Sequence, residues 1–444
     1  MAAPLAAGYA LPELSPEAAI NHFLHTLSRP TRLLIAISGG SDSTGLLVAL
    51  ARAIAENRFP HTHTLTAGTI DHGLRRASAD EARRVSELCH QLAIPHRILQ
   101  WMGEKPQTGL SAAARLARYR LLSDAAGSLR ADAIVTGHTL DDQIETVAMR
   151  SSRSASDAPG LAGMAQATLY AGRLWILRPF LHTRRNAIRA HLRALNIDWI
   201  DDPSNEDPRY ERVRIRQSAP AIDPGMIEQA GHRRETLSAA AASWLSEHVE
   251  ARPGPVAIIS LPEEGAIPPE MRDHALAALI AVLGGKPHRP AAASLARLSA
   301  ALDEGSDFRL TLSGALALRC RKQLFLLRER RGLLPLSLVP GESGIWDGRY
   351  AIVNNSGSEI TVMPGPAVEI DADLPGAVRT ALNGTTPQVL VGKGIFASHL
   401  EHVTIKPRLS LYADFLPLFD LPLANAIATL LGAEPAPPPL FKTY

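Results

Sequence analysis

The chain has 444 residues, 46% apolar and 20% charged, with a formal net charge of only +2. That length exceeds one ordinary hydrophobic core and predicts two or three domains. The composition is that of a globular protein, and the near-zero charge gives no whole-chain case for a polyanionic partner. The basic residues are 6 lysines and 40 arginines, so a single arginine cluster carries little weight by itself.

Cys89 and Cys320 lie far apart in apolar segments, which excludes a disulfide framework or a zinc or iron–sulfur spacing and predicts buried free thiols. The first twenty residues lack a basic n-region, so no secretory signal is expected. The apolar stretch LPLFDLPLANAIATLLGA is broken by Asp420 and Asn425, against a membrane span. A cytoplasmic protein with no membrane partner is expected.

Up to residue 216, strand-like and helix-like runs alternate. RLLIAIS (32–38), HTLTAGTID (63–71), IPHRILQW (94–101) and ADAIVTGH (131–138) read as strands. Helices are expected over 42–57, 78–92 (Ser78 and Glu81 forming a capping box), 111–129 and 140–151. This pattern predicts an α/β domain, a parallel sheet with helices on both faces, with ligands beyond the carboxyl ends of the strands. Residues 151–164 read as a loop, RLWILRPF (173–180) as an edge strand, and 183–195 as a helix. An Ala-rich helix is expected over 226–250, and two or three strands over 307–329. The expected division is a catalytic domain over 1–220, a helical connector with a small α+β domain over 221–332, and a β-leaning domain over 333–444.

The stretch Ser38-Gly39-Gly40-Ser41-Asp42-Ser43 stands between a buried strand and a helix. Glycines let backbone approach a ligand closely, and a helix N-terminus offers unpaired N–H donors to an anion. No lysine follows the glycines, so this is not a Walker loop. The Asp42 carboxylate beside a triphosphate is sensible as a Mg²⁺ ligand, or in work away from the phosphates. In GHTLDDQIET, Asp141 and Glu145 are four residues apart on one helix face, a like-charge pair that a metal or a substrate ammonium would offset. His138 lies one turn before. Asp71 and His72 end a strand, and Arg115 and Arg118 share a helix face. Arg212, Arg214 and Arg216 alternate, so an extended conformation would aim all three the same way, towards phosphate or towards the acids Asp201, Asp202, Glu206 and Asp207. The basic residues Arg309, Arg319, Arg321, Lys322 and Arg328 form a weaker RNA-contact candidate.

SGGSDS resembles the pyrophosphate-binding loop of the ATP-pyrophosphatase (PP-loop) superfamily, whose fold is adenine nucleotide α-hydrolase-like. IDHGLR (70–75), ARLARY (114–119), GHTLDDQIET (137–146), GLAGM (160–164), RPF (178–180) and DDPSNEDPRYERVRIR (201–216) follow in the order of the tRNA(Ile)-lysidine synthetases. The resemblance implies ATP, with Mg²⁺, adenylating the 2-oxygen of the wobble cytidine in an isoleucine tRNA with a CAU anticodon, and free L-lysine then attacking carbon 2 as AMP leaves. It implies ATP contacts from Ser38 to Ser43, Asp71 and His72, and lysine or tRNA contacts from Arg115, His138, Asp141, Arg212, Arg214 and Arg216. Asp42, Asp142 and Glu145 are then the candidate proton acceptors, unranked. One departure is MRSSRSASDAPGLAGM (149–164), where the family has Arg-Gly-Ser-Gly before GLAGM. Cytidine 2-thiolation, a glutamine-dependent amidotransferase and an idle tRNA-binding relative are the rivals; the first two call for cysteines this chain does not place suitably. Oligomeric state stays open, a homodimer included.

Overall fold

The computed structural model describes residues 13–56, 58–73, 78–106, 108–151, 159–201, 207–209, 211–218, 220–253, 255–261, 267–320, 322–366, 371–391, 395–396 and 402–442. The chain divides into two compact units, Met1–Arg234 with Pro437–Tyr444 and Glu235–Ala436.

The first unit holds β1 (Arg32–Ala36), β2 (Thr64–Asp71), β3 (His96–Gln100), β4 (Ala133–Thr136), β5 (Ala167–Tyr170) and β6 (Leu174–Leu177), in the spatial order β5-β6-β4-β1-β2-β3. Neighbours run parallel except for the β5–β6 hairpin. The run 173–180 is therefore not an edge strand: β6 is fully buried, because β5 pairs outside it.

The helices are α1 (Pro16–Thr26), α2 (Ser41–Ala55), α3 (Ser78–Gln91), α4 (Leu110–Leu129), α5 (Leu140–Ser151) and α6 (Arg185–Ala194). The side chain of Ser78, where a capping box was expected, and residues 152–158 lie outside the described residues. Right-handed crossovers put α2 and α3 on one sheet face and α4 on the other. The strand order reverses between β1 and β4, which opens a crevice at their carboxyl ends. That crevice receives both SGGSDS and the start of α5.

Close approaches set this geometry. A Cβ on Gly137, just after β4, would stand 2.8 Å from the Asp42 carbonyl oxygen. On α2, a Cβ on Gly45 would stand 2.3 Å from Ile188 Cγ2 of α6. The segment 437–442 also packs on this unit. Ser28 N donates to Leu440 O at 2.9 Å, Lys442 N to Thr26 O at 3.0 Å, and Trp175 Nε1 to Pro438 O at 3.1 Å.

A short helix α7 (Glu211–Gln217) and a long helix α8 (Pro224–His248) follow, and the unit boundary falls within α8. The second unit opens with an antiparallel sheet of β7 (Val249–Arg252), β8 (Val256–Ser260), β9 (Phe308–Leu312), β10 (Ala315–Cys320) and β11 (Gln323–Arg328), ordered β7-β8-β11-β10-β9. Two smaller sheets within 336–407 share a core of Leu338, Trp346, Ile352, Ile360, Val362 and Val389. No helix among the described residues is long and apolar enough to cross a membrane.

Gly45→Ala should lower stability by about 1–3 kcal/mol, because the added methyl overpacks the α2–α6 contact. Gly127→Ala, on α4 with no atom within 4 Å of the new Cβ, should raise it by about 0.4–1 kcal/mol. Denaturant unfolding of both variants checks the pair, and equal effects would reject the packing account.

Candidate active site at the switch point

The loop after β1 is built as an anion cradle. Gly39 adopts φ +86°, and a Cβ there would meet Ile200 Cδ1 at 2.6 Å, so only glycine fits. Gly40 caps α2 without a side-chain bond, leaving the N–H groups of the first turn to a ligand. The loop is braced from within: Ser38 N donates to Ser43 Oγ at 3.1 Å, Ser43 Oγ to Gly40 O at 3.2 Å, and Thr44 Oγ1 to Gly39 O at 3.1 Å. Ile200 N donates to Gly39 O at 2.8 Å, which ties the 199–201 segment to the loop.

Across the crevice, α5 starts with a reciprocal cap. Thr139 N and Oγ1 donate to Asp142 Oδ2 at 2.7 and 3.1 Å, while Asp142 N donates to Thr139 Oγ1 at 3.3 Å. This fixes Asp142 and leaves its second oxygen facing α6. Farther along, Gln143 clamps the GLAGM turn: its amide donates to Met164 O at 3.0 Å and accepts from Met164 N at 2.6 Å. Gly163, φ +62°, passes so close that a Cβ would sit 2.5 Å from Gln143 Oε1.

The acids meet around one arginine that the sequence reading did not single out. Arg185 Nε donates to Asp42 Oδ2 at 2.8 Å and its Nη2 to Asp142 Oδ1 at 2.9 Å, while Nη1 lies 3.5 Å from Glu145 Oε1. Its backbone N donates to Asp141 Oδ2 at 2.8 Å, so Asp141 caps α6 from another element. A signal was present in HTRRNAIR: α6 has no acid in its first turn and opens on arginines, against the helix dipole, so outside carboxylates are required.

Arg212 and Arg216 join the same cluster from α7. Arg212 donates to Asp142 Oδ1 and Glu145 Oε2, each at 2.5 Å, and Arg216 Nε to Glu145 Oε1 at 2.7 Å. The alternation read as extended is thus helical. Arg212 and Arg216, four residues apart, share a face, whereas Arg214 turns away and donates to the carbonyls of Pro208 and Arg209 at 2.8 and 3.0 Å. The nearby acids pair elsewhere: Asp201 with Arg189 and Asp207 with Arg209. Asp202 and Glu206 lie outside the described residues.

Electrostatically the acids differ. Burial raises the Asp42 carboxyl above its ordinary range, with Arg185 opposing and Asp142 reinforcing. Burial also works to raise Glu145, which is only 4% exposed, but the bonds and charges of Arg216 and Arg212 outweigh it and leave the group lowered. His138 accepts or donates to Thr136 Oγ1 through Nδ1 at 2.9 Å. Burial and the charges of Arg178, Arg212, Arg115 and Arg118 hold its ring neutral. Arg115 lies over the Tyr119 ring at 5.1 Å. At the end of β2, Asp71 Oδ1 accepts from Gly73 N at 2.9 Å, and His72 stands edge-on to Trp101 at 5.8 Å. The structure therefore brings Asp42, Asp141, Asp142, Glu145, Arg212 and Arg216 together, surrounds His138 with positive charge, and leaves Arg214 out.

Residues 12–221 match the PP-loop domain family. Over 436 residues the chain is 41% identical to the tRNA(Ile)-lysidine synthase of Rhizobium meliloti (strain 1021), covering 94% of this chain and 96% of the relative. The chain belongs to the tRNA(Ile)-lysidine synthase family. Within that family it is also 40% identical to the enzyme of Mesorhizobium japonicum, covering 90% of this chain and 92% of the relative. With that of Brucella melitensis biotype 2 the identity is 36%, covering 91% and 96%.

Opposite stability changes should follow from the two environments. Glu145→Gln breaks partly exposed ion pairs and should cost about 1–3 kcal/mol near neutral pH, below the full cost of a sealed pair. Because the folded-state value of Glu145 is lowered, its contribution is present above about 4.5 and fades as pH falls through the folded value. Asp42→Asn should raise the unfolding temperature near neutral pH, since the charged form of a raised acid opposes folding there. Thermal unfolding of both variants across pH checks the signs. A destabilised Asp42→Asn would show that the Arg185 pair dominates that site.

Proposed function

We propose that this chain uses ATP to activate the 2-oxygen of the wobble cytidine in tRNA(Ile) with a CAU anticodon, and then joins free L-lysine to carbon 2. The observation that carries this reading is the anion cradle of the PP-loop facing a carboxylate cluster across one crevice, in a chain 41% identical to a curated family member. ATP phosphates suit Gly39 to Ser43, where glycine backbone and helix donors converge. The cytosine carbonyl has no usable leaving group; adenylation converts its oxygen to one that departs with AMP. The lysine ammonium must lose a proton before its nitrogen can attack, and a carboxylate is the fitting acceptor.

Asp42 also fits a Mg²⁺ ion. It is the carboxylate on the loop itself, and among the described residues one of its oxygens is engaged only by the Ser41 hydroxyl at 3.1 Å. Magnesium takes one or two carboxylates and completes its shell with phosphate and water, so the lack of a three-ligand cluster among the described residues does not count against it. Bound there, Mg²⁺ would supply neutralisation of phosphate charge.

The 2-thiolation rival needs paired thiols. Cys89 is buried with its thiol raised to about 11, and Cys320 stands alone on β10 in the other unit. We assign tRNA grip to the second unit through the exposed Arg309 and Lys322. Arg328 does not belong to that surface, since it is buried and bonded to Asp347 at 2.8 Å, and Arg321 lies outside the described residues. The cytoplasm is the compartment this reading implies.

Incubation with ATP, labelled lysine and isoleucine tRNA transcripts should label the CAU transcript and spare the GAU one; no label in either would overturn the reading. Asp42→Asn should lose lysine transfer by about 10²-fold or more while keeping tRNA affinity. Glutamine at both Arg309 and Lys322 should weaken tRNA binding and flatten its log–log salt slope by about 2. Filter retention at several salt concentrations measures it.

A further inference from the structure

Glu145 is the most tightly held acid of the cluster. Both its oxygens are occupied, Oε1 by Arg216 at 2.7 Å and Oε2 by Arg212 at 2.5 Å, with Arg185 at 3.5 Å. In this arrangement no oxygen is left to meet an ammonium. The three arginines are not equivalent, however. The Arg185 side chain is 15% exposed, begins a ten-residue helix and also bridges Asp42 and Asp142. Those of Arg212 and Arg216 are 43% and 37% exposed, and both ride on the seven-residue α7. Arg185 is the resident counter-ion; the other two already face solvent.

Charge decides what can replace them. Asp42, Asp142 and Glu145 are paired with Arg185, Arg212 and Arg216, and Asp141 stands beside them on the Arg185 backbone N–H. If Arg212 and Arg216 turn to a phosphate, the cluster becomes more negative by two charges, an excess on the side of the acids. That excess cannot stay uncompensated in a half-buried site, and it suits a substrate carrying two ammonium groups.

We propose that Arg212 and Arg216 are exchangeable covers on Glu145, drawn off by substrate phosphate so that free lysine binds the exposed acids only afterwards. The proposal rests on the function given above. In the step it controls, one proton passes from the lysine ε-ammonium to Glu145. The freed electron pair forms the N–C2 bond, and the C2–O bond breaks with its pair leaving on AMP; the remaining nitrogen protons stay with the product. Arg185 holds Glu145 and Asp142 in place throughout, which makes it a positioning residue. The phosphate comes from the nucleotide or from the RNA backbone, and both present the same oxyanion to a guanidinium.

The test is calorimetric titration of L-lysine into the full chain in three states: alone, saturated with a CAU tRNA(Ile) transcript without ATP, and saturated with a non-hydrolysable α,β-methylene ATP analogue. Lysine should bind at least tenfold tighter in one of the loaded states, and the state that does so names the source of the phosphate. Linkage requires lysine to tighten that ligand by the same factor. The variant R212Q/R216Q should bind lysine without either ligand, at an affinity close to that of the loaded wild type. Equal lysine affinity in all three wild-type states, undetectable binding included, overturns the proposal even where the double variant fails to fold. Label incorporated into the CAU transcript together with ligand-independent lysine affinity would sink the exchange alone and leave the proposed reaction standing.

Discussion

The guanidinium of Arg185 is the interaction on which the rest of this site depends. It draws three carboxylates from two separate elements, Asp42 on the loop after β1 and Asp142 and Glu145 on α5, to within 3.5 Å of one cation. Without it those acids would repel one another across a partly buried crevice, where screening is weak. The surrounding packing exists to bring that arginine to them. Gly45 lets the Ile188 side chain of α6 lie directly on the α2 backbone, and Gly137 lets the end of β4 touch the backbone of the loop. Asp141 completes the arrangement by capping the helix that carries Arg185.

A consequence is that opposite fields stand side by side. The loop from Gly39 to Ser43 presents N–H donors and the α2 dipole to an anion, while across the crevice the acids of α5 face cations. Asp42 belongs to both, and burial leaves it raised while Glu145 is lowered: among the described residues one acid has a single arginine, the other has three. Chemistry that handles a triphosphate and an ammonium together needs such a boundary, and few folds provide one as directly as a strand-order reversal between two parallel strands.

What could be read from the sequence follows the range of each signal. The β1 loop and the acids of α5 were legible because each is a short contiguous motif whose meaning is local. Arg185 was not, since one arginine among 40 carries no pattern and its importance arises from contacts 43 and 143 residues away in sequence. The RVRIR stretch misled for a geometric reason. Arginines at every second position satisfy a strand period, yet the outer two also satisfy the four-residue helical spacing, and the pull of Glu145 on both selects the helix. Likewise β6 looked like an edge because nothing in Ala167–Tyr170 announces a strand except the partner it finds. The return of 437–442 to the first unit is equally unreadable, being a tertiary contact with no periodicity of its own.

The departure from the family pattern at 149–164 can be weighed against these same contacts. Its middle, 152–158, lies outside the described residues, but both flanks are anchored to the body of the domain. On one side Arg150, in the last turn of α5, donates to Gly163 O at 2.9 Å; on the other Gln143 grips Met164 through two bonds. The exchange of glycines for serines therefore falls between two fixed ends. Retention of GLAGM has a physical cause of its own, because a Cβ on Gly163 would stand 2.5 Å from the Gln143 amide oxygen, at a positive φ that glycine adopts without strain. The acids of α5 are meanwhile held by Arg185 of α6 and by Arg212 and Arg216 of α7, contacts made wholly by described residues outside that stretch.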